Sequence, residues 1–375
     1  MSTSRRELEL ESDRIELVLS SHKAPARVTG GIVTPRAVQF HLAPACGTRI
    51  NKVRGLADEL ALALGVSSVR VFRQGSSVHL EIPRDDARPV RLLSLMPRLA
   101  SPGADPLPPG TAVLGLCDDG APLLLRLPSP DVAHVLISGT TGSGKTALCR
   151  AIVLSLAATH RRSQMQFVLI DPKRQAFAPL AHLPHLLRPV VGDAATAAGA
   201  LQDLVTLMET RGQGEGGSPR GAAGWTPRIV VVLDELADLV QVGGKSFAEN
   251  LTRLAQRGRE AGVHVIACTQ KPSSQVLGTL IRANFPVRLV GRVVSPEDAR
   301  VAAGIGGTGA EKLAGRGDFV AVAAGQVLRF QAAYVSAAEM EQVVAQMGSA
   351  PRRWDVVHRR PSLLRQAVAL VAGAN

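Results

Sequence analysis

The chain has 375 residues, 46% of them hydrophobic, so it is long enough for two domains and at least one large core. Lys and Arg number 43 against 31 Asp and Glu, and the net charge of +12 favours a polyanionic partner such as nucleic acid over an acidic small substrate. Aromatic residues make up 3% of the chain, which argues against stacking platforms for single strands and leaves contact with a duplex backbone open.

The cysteines and the apolar segments indicate the compartment. None of the four cysteines stands in a C-x-x-C pair, so neither a zinc ribbon nor a disulfide framework is expected. No segment approaches the roughly 18–20 clean apolar residues that a membrane helix needs. Residues 1–14 alternate Arg with acidic residues and do not form a signal peptide. We therefore expect a cytoplasmic protein with no intrinsic membrane segment.

The N-terminal sequence pattern predicts a tail at 1–14 and a small α+β domain at 15–100. Its apolar residues recur with helical spacing in one segment and with strand alternation in others. The expected elements are a strand at Ala37–Leu42, a helix at Val53–Leu64, and a hairpin formed by Val69–Phe72 and Val78–Ile82.

A Pro- and Gly-rich linker at 101–110 precedes a larger domain at 111–349. In this domain, short strands that are apolar throughout alternate with helix-length segments. That pattern is typical of a parallel sheet covered on both faces, so the expected fold class is α/β with a parallel central sheet. The predicted strands are Val135–Ser138, Phe167–Asp171, Ile229–Asp234, Val263–Thr269 and Val287–Val290, followed by a hairpin of Phe319–Ala323 and Val327–Ala332.

The strongest motif is G-T-T-G-S-G-K-T at 139–146, which fits the pattern G-x-x-x-x-G-K-[ST] at every position. It follows a predicted strand and opens a predicted helix, as a phosphate-binding loop must. Glycines let backbone N–H groups point at phosphates, and the helix N-terminus adds a positive dipole end. Lys145 is expected to bind the β- and γ-phosphates of ATP, and the Thr146 hydroxyl to ligate Mg²⁺. The predicted nucleotide-binding residues are Gly139, Thr140, Thr141, Gly142, Ser143, Gly144, Lys145 and Thr146.

Two other strands also end in polar groups. Asp234 and Glu235 follow a run of apolar residues, and buried carboxylates are costly unless they have partners. Asp234 is expected to hold the Mg²⁺ shell and Glu235 to polarise the attacking water, which favours an ATPase motor over a kinase. Gln270 is expected to hydrogen-bond the γ-phosphate or the water. The alternatives are solvated acids at a strand end and, for Gln270, a capping amide.

A basic segment precedes the strand at Val263. Arg253, Arg257 and Arg259 are expected on the helix before this strand. Taken alone, they are interpreted as solvated charge. The functional alternative is an arginine finger that reaches the ATP of a neighbouring subunit.

Together these motifs resemble those of the FtsK/SpoIIIE family of DNA translocases, from about Arg27 to Val344. The segments D-P-K at 171–173, R-E-A-G-V-H at 259–264, T-Q-K-P at 269–272 and G-R-G-D at 315–318 follow the family order. The small domain resembles the family's α domain. The resemblance implies RecA-like motor domains that form a hexameric ring around duplex DNA, with ATP between subunits. It also implies that Arg259 acts in trans and that Lys271 and Arg282 face the DNA.

Some family features have no counterpart in this sequence. The usual membrane-anchoring N-terminal region is missing, and Pro296 occupies a place where members can carry a basic residue. Within a basic tail at 350–375, Leu363–Val371 resembles only the first helix of the family's winged-helix domain. Directional reading of DNA sequence is therefore not expected.

The sequence thus predicts an ATP-driven double-stranded DNA translocase acting in chromosome segregation, cell division or mobile-element DNA transfer. The alternative is a coupling or secretion ATPase of the same superfamily that moves protein substrates. A third possibility, a nucleotide-gated scaffold without catalysis, is disfavoured because Lys145, Thr146, Asp234 and Glu235 are all present.

Overall fold

The chain divides into two compact units, Met1–Pro89 and Val90–Asn375. None of the helices in the described ranges has the length and apolar character needed to span a membrane. The domain limits given above stay a prediction. The computed structural model describes residues 5–34, 37–74, 77–84, 88–99, 107–213, 220–221, 224–270, 284–349 and 368–369.

The first unit is an antiparallel sheet of four strands in the order β1-β2-β4-β3, with helices whose apolar side chains join the same core. Strands β3 and β4 form the predicted hairpin, which is confirmed. The elements of this unit are α1 Arg5–Ser21, β1 Ala26–Val33, β2 Ala37–Pro44, α2 Ile50–Arg54, α3 Ala57–Leu64, β3 Arg70–Gln74 and β4 Ser77–Pro83.

Two elements of this unit differ from expectation. Helix α1 begins at Arg5, inside the predicted tail, and it is attached to the core further on, where Ile15 and Leu19 lie one turn apart and are both fully buried. The single helix predicted for this region is two helices, α2 and α3, because Leu56 leaves the helical conformation (φ −98°, ψ 19°) and its side chain is buried.

The second unit is built on an eleven-stranded mixed sheet within the described residues. Its elements are β5 Val90–Arg91, α4 Leu92–Leu99, β6 Thr111–Cys117, β7 Pro122–Arg126, β8 Val135–Ser138, α5 Lys145–Thr159, β9 Met165–Ile170, α6 Ala194–Gln213, β10 Arg220–Gly221, β11 Gly224–Trp225, β12 Arg228–Leu233, α7 Leu236–Arg257, β13 Val263–Thr269, β14 Val287–Gly291, α8 Pro296–Ala303, β15 Asp318–Ala323, β16 Gln326–Tyr334, α9 Ala337–Ser349 and β17 Val368–Ala369. Strands β10 and β11 form a separate two-stranded pair.

Five central strands run parallel in the order β9-β12-β13-β8-β14. They are the five predicted strands, found within two residues of their expected bounds, so the α/β fold class is confirmed. Strand β15 pairs antiparallel with β14, and the sheet continues through β16, β6 and β7. The carboxyl ends of the five parallel strands therefore meet at one edge, where ligands bind in such folds.

Alternate residues of the parallel strands enter two separate cores. Val230 and Val232 of β12 pack with α5, whereas Ile229, Val231 and Leu233 pack with α6 and α7. This two-sided burial explains why the strands are apolar throughout instead of alternating. Most of the predicted linker and tail lies outside the described residues. Within the tail, β17 pairs parallel with β7.

Candidate nucleotide-binding site

The predicted site residues come from loops at the carboxyl edge of the parallel sheet. The loop at 139–146 follows β8, Asp234 and Glu235 follow β12, and Gln270 follows β13. Strands β12 and β13 are paired neighbours, and β13 also pairs with β8, so the three loops are adjacent. The fold thus brings together residues that lie up to about 130 positions apart in the sequence.

The loop at 139–146 has the backbone that its glycines permit. Gly139, Gly142 and Gly144 have φ values of 146°, 79° and 105°. A Cβ on Gly144 would lie 2.9 Å from the backbone N of Gly317, so a side chain there would clash as well as strain the backbone. The loop continues into α5 at Lys145, which places its N–H groups at the positive end of a helix dipole.

Lys145 is buried, with 8% of its surface exposed. Its Nζ donates to the carbonyl oxygens of Gly139 at 2.8 Å and of Thr140 at 3.0 Å, so the amine closes over its own loop. Burial lowers the pKa of Lys145, while the nearby acidic groups of Glu235 and Asp234 act in the opposite direction. The amine is thus poised to exchange carbonyl oxygens for phosphate oxygens.

Asp234 and Glu235 form an acidic pair between β12 and α7. The pKa of Asp234 is raised to about 6, first by burial and then by the carboxylates of Asp171 and Glu235. Glu235 is 7% exposed and has a φ of 54°, an unusual backbone for a residue with a side chain. Its Oε1 accepts a hydrogen bond from the backbone N–H of Gln270 at 3.1 Å.

Gln270 connects the acidic pair to the phosphate-binding loop. Its side chain is exposed, and its Oε1 accepts from the hydroxyl of Thr141 at 2.9 Å. Because its backbone N–H also bonds to Glu235, this one residue contacts both parts of the site.

Asp171, at the end of β9, is a site residue that the sequence predictions did not name. It is fully buried, and its carboxylate accepts from three backbone N–H groups within 173–177. Arg150 of α5 donates to the carbonyls of Gln175 and Ala176, so the same loop is also held from the helix. The signal that could have found Asp171 is the D-P-K motif directly after a predicted strand.

Arg259 lies at the opposite edge of the sheet. It follows the end of α7 at Arg257, so its predicted place on the helix is wrong. A Cβ at Gly258 would lie 2.8 Å from the Val263 carbonyl oxygen, so only glycine fits where the chain leaves the helix. Its guanidinium donates to the Pro130 carbonyl at 3.2 Å. The seven residues of β13 separate this turn from Gln270 by about 20 Å. Arg259 therefore does not reach the site of its own chain.

The two predicted DNA contacts, Lys271 and Arg282, lie outside the described residues. The structure therefore does not test them.

Two thiols lie in the core beneath the phosphate-binding loop. Cys149, one turn after Lys145, and Cys268 of β13 are both buried, with their Sγ atoms 3.1 Å apart. The contact with Cys149 and burial hold the pKa of Cys268 well above its usual range. Such thiols are poor nucleophiles, and the pair is part of the packing between α5 and β13.

Two family models match the chain. A model of the FtsK/SpoIIIE family matches residues 109–214 and 219–274, and a model of the FtsK alpha domain matches residues 1–84. The first match contains the phosphate-binding loop, the acidic pair and Gln270, and the second covers most of the first compact unit.

Curated relatives are similar over most of this chain. A DNA translocase FtsK of Sporosarcina ureae is 34% identical over 361 residues, which are 90% of this chain and 45% of the relative. The DNA translocase SftA of Bacillus subtilis (strain 168) is 32% identical over 91% of this chain and 37% of the relative. The chain thus spans less than half the length of these relatives.

Solved structures agree on the fold. The cytoplasmic domain of the Thermomonospora curvata type VII secretion ATPase EccC has a TM-score of 0.60 and 25% identity, covering 73% of this chain and 36% of that one. The pCW3 conjugation coupling protein TcpA, in its monomer form, has a TM-score of 0.59 and 18% identity, covering 91% of this chain and all of that one. The second unit is accordingly a RecA-like P-loop ATPase fold.

Proposed function

The chain belongs to the FtsK/SpoIIIE family, and on that basis we propose that it is an ATP-driven double-stranded DNA translocase acting as a hexameric ring. The observation that carries this proposal is the meeting of three loops at one sheet edge: the phosphate-binding loop, the acidic pair Asp234–Glu235, and Gln270. The proposed roles are chromosome segregation, cell division or mobile-element DNA transfer, as expected for such a motor.

The proposed ligands are ATP and Mg²⁺. Lys145 of the glycine-rich loop at 139–146 would leave the carbonyls of Gly139 and Thr140 to bind the β- and γ-phosphates. Thr146 and Asp234 offer oxygen ligands of the kind that Mg²⁺ prefers. When bound, Mg²⁺ neutralises phosphate charge, and its positive charge favours the ionised form of Asp234.

Hydrolysis requires a base beside the γ-phosphate, and Glu235 is the proposed group. It is buried, it lies next to the proposed metal ligand, and its carboxylate accepts a hydrogen bond from the backbone N–H of Gln270. We assign it the role of accepting a proton from the attacking water. The side chain of Gln270 would report the γ-phosphate, because it already bonds to Thr141 of the loop.

The proposed finger is Arg259, acting on the ATP of the neighbouring subunit. The turn that carries Arg259 lies about 20 Å from Gln270 of the same chain. This distance supports a role in trans, because one chain then cannot supply both the finger and the rest of the site. A heterologous contact that joins opposite edges of identical subunits closes into a ring when the rotation fits.

Duplex DNA is the proposed substrate, and Lys271 and Arg282 are its proposed contacts. The net charge of +12 and the scarcity of aromatic residues support backbone contact without base reading. Each lost phosphate contact should lower the slope of log affinity against log salt by about 1. Lys271→Ala should therefore weaken binding about equally on two unrelated duplexes; a strong preference for one duplex sequence, or for a single strand, would contradict this assignment.

The experiment that tests the function is ATPase activity with and without duplex DNA, followed by displacement of a third strand from a triplex along that DNA. Wild type should be stimulated by duplex DNA of any sequence and should displace the third strand. Lys145→Ala should do neither, because it cannot bind nucleotide productively. No stimulation of an active wild-type ATPase by DNA would overturn the proposal.

A second candidate, a secretion ATPase that moves proteins, is supported by the fold match to the type VII secretion ATPase EccC. DNA is favoured because the curated relatives, which match about nine-tenths of the chain, carry the name DNA translocase, and because an alpha-domain model matches residues 1–84. Stimulation by a candidate secreted protein and not by duplex DNA would favour the alternative.

A further inference from the structure

The G-R-G-D segment forms a turn that braces the outer side of the phosphate-binding loop. The backbone N–H of Arg316 donates to the carbonyl of Gly142 at 3.0 Å, and that of Gly317 donates to the carbonyl of Ser143 at 2.8 Å. The approach is close enough that a Cβ on Gly144 would lie 2.9 Å from the backbone N of Gly317. We call residues 314–318 the bracing turn.

A single carboxylate fixes the bracing turn. Asp318 is 5% exposed, and its Oδ2 accepts from the backbone N–H of Ala314 at 2.9 Å. Arg329 of β16 donates to Oδ1 through Nε and to Oδ2 through Nη2, both at 2.8 Å. Such two-point pairing fixes geometry as well as charge. The backbone needs this support, because Gly315, Arg316 and Gly317 all have positive φ values, of 75°, 51° and 91°.

The two bonds from the bracing turn determine which way two peptide planes of the loop face. A peptide unit is planar and trans, so its C=O and the N–H of the next residue point in opposite directions. Holding the carbonyls of Gly142 and Ser143 from outside therefore directs the N–H groups of Ser143 and Gly144 away from the bracing turn, where that of Ser143 donates to the Thr140 carbonyl at 3.2 Å within the loop. Backbone N–H groups on the inner side of such a loop are the ones that bind phosphate oxygens.

A peptide unit at the start of the loop shows the same opposition of C=O and N–H. The backbone N–H of Thr140 points outward to the carbonyl of Arg292 at 2.8 Å, and the carbonyl of Gly139, in the same peptide unit, points inward to Lys145 at 2.8 Å. In this peptide unit both groups have partners, and its C=O and N–H do point in opposite directions.

We propose that Asp318, together with Arg329, is a positioning residue for nucleotide binding: it holds the bracing turn, which sets the direction of the phosphate-binding N–H groups. The role rests on the proposed function, since it assigns the loop a phosphate ligand. A carboxylate near an anion site would repel the ligand, and its pairing with Arg329 removes that cost. The pair therefore acts through backbone geometry instead of through contact with the nucleotide.

The test compares the affinity for a fluorescent ATP analogue and the steady-state KM and kcat of full-length variants. Asp318→Asn removes the charge pair but keeps the shape, and it should weaken nucleotide affinity and raise KM about tenfold with little change in kcat. Arg329→Lys keeps the charge with one donor in place of the fork and should give an intermediate affinity. The matched control is Asp203→Asn, which breaks the ion pair with Arg188 on a surface that does not touch the loop, and it should bind as wild type does.

Hydrogen exchange separates positioning from general stability. Peptides covering 139–146 and the bracing turn should exchange faster in Asp318→Asn, while peptides covering β12 and β13 keep wild-type rates. A folded Asp318→Asn with wild-type affinity, or one that loses stability without losing affinity, overturns the proposal. If Asp318→Asn does not fold, wild-type affinity in Arg329→Lys overturns it equally. No nucleotide binding by wild type would instead overturn the proposed function, on which this inference rests.

Discussion

At the carboxyl edge of the five parallel strands, side chains bond to the backbone and acidic groups also lie close enough to repel one another; at the amino edge of the same strands, the buried histidines bond to the backbone without such acidic neighbours among the described residues. At the first edge, burial and then the carboxylates of Asp171 and Glu235 raise the pKa of Asp234 to about 6. At the second, Nδ1 of His134 accepts from the N–H of Val265 at 2.9 Å, and Nδ1 of His264 lies 2.9 Å from the Ala133 carbonyl.

The contrast shows that buried polar side chains have two roles in this unit. Groups at the amino edge find partners within the chain and contribute to a fixed fold. The carboxylates at the other edge repel one another and remain poised for a ligand of opposite charge, which is the usual state of a functional site. Substitutions at the two edges should accordingly change different quantities.

The largest effect is expected for Arg259, the amino-edge residue assigned to a neighbour's site. Arg259→Ala should bind ATP normally and hydrolyse it about 10³-fold more slowly, the lower end of what an arginine finger supplies. Arg253→Ala, which removes another exposed arginine of the same region, should keep wild-type turnover. ATPase rates with DNA present and an equilibrium nucleotide titration measure the two quantities.

Mixing two inactive variants tests whether neighbouring subunits share one ATPase site. Arg259→Ala mixed with Glu235→Gln should recover part of the activity, because some interfaces then contain both intact groups. Mixed rings that demonstrably form and stay inactive would show that the two edges do not share a site.

The next effect is expected for Glu235 at the carboxyl edge. Glu235→Gln should bind ATP and turn it over at least about 10²-fold more slowly, since the amide cannot accept the proton. Arg211→Met is its counterpart at the amino edge, where the guanidinium bonds to the carbonyls of Ala261 and Pro227. It should lower the urea midpoint and leave kcat nearly unchanged. Near-wild-type turnover by Glu235→Gln would remove its assignment as the base.

The amino edge should make stability depend on pH. Burial lowers the pKa of His264 to about 4 and that of His134 to about 3, below about 6.5 in the unfolded chain. Between those values the unfolded chain binds protons that the folded chain does not, so the free energy of unfolding falls as pH falls below about 6.5. Each histidine should remove about 2 kcal/mol by pH 5.

Urea unfolding at pH 7.5 and pH 5 measures this loss. His264→Asn, which keeps a donor toward the Ala133 carbonyl, should roughly halve the loss, whereas Asn at the exposed His182 should leave it unchanged. A loss between these pH values that is as large in His264→Asn as in wild type would show that His264 is not buried in its neutral form.

The smallest effect is expected for the Thr141 hydroxyl, which donates a hydrogen bond to the side chain of Gln270. Thr141→Val removes one exposed hydrogen bond and frees Gln270 to turn toward a γ-phosphate, so the KM for ATP should fall about two- to fivefold. Thr141→Ser keeps the hydroxyl and should retain the wild-type KM. A higher KM in Thr141→Val would mean that the hydroxyl itself contributes to nucleotide binding.

The carboxyl edge was largely predictable from the sequence and the amino edge was not. Strands that are apolar throughout and end in Asp234 or Gln270 predict which loops meet, because parallel strands share one edge. The same patterns contain no signal for the partners of His264 or Arg211, which are backbone carbonyls from distant segments. The residue types in a sequence do not indicate which distant backbone carbonyl a side chain will contact.

The first compact unit shows a second limit of prediction from sequence. Residues 5–14, the first part of α1, carry mostly charged side chains and were assigned to the tail, whereas the buried pair Ile15 and Leu19 lies in the part assigned to the small domain. The bracing turn was visible as G-R-G-D, but its contact with the loop depends on three positive φ values and a bond between backbone atoms. Neither follows from spacing.

The burial of the thiols has a practical consequence for labelling. Cys117, Cys149 and Cys268 are buried, and Cys46, in the turn after β2, is exposed. A maleimide dye under mild conditions should therefore attach at Cys46 and leave the pair beneath the phosphate-binding loop unmodified, without any cysteine being replaced. The native chain thus provides a single fluorophore position in the first compact unit, outside the unit that contains the phosphate-binding loop.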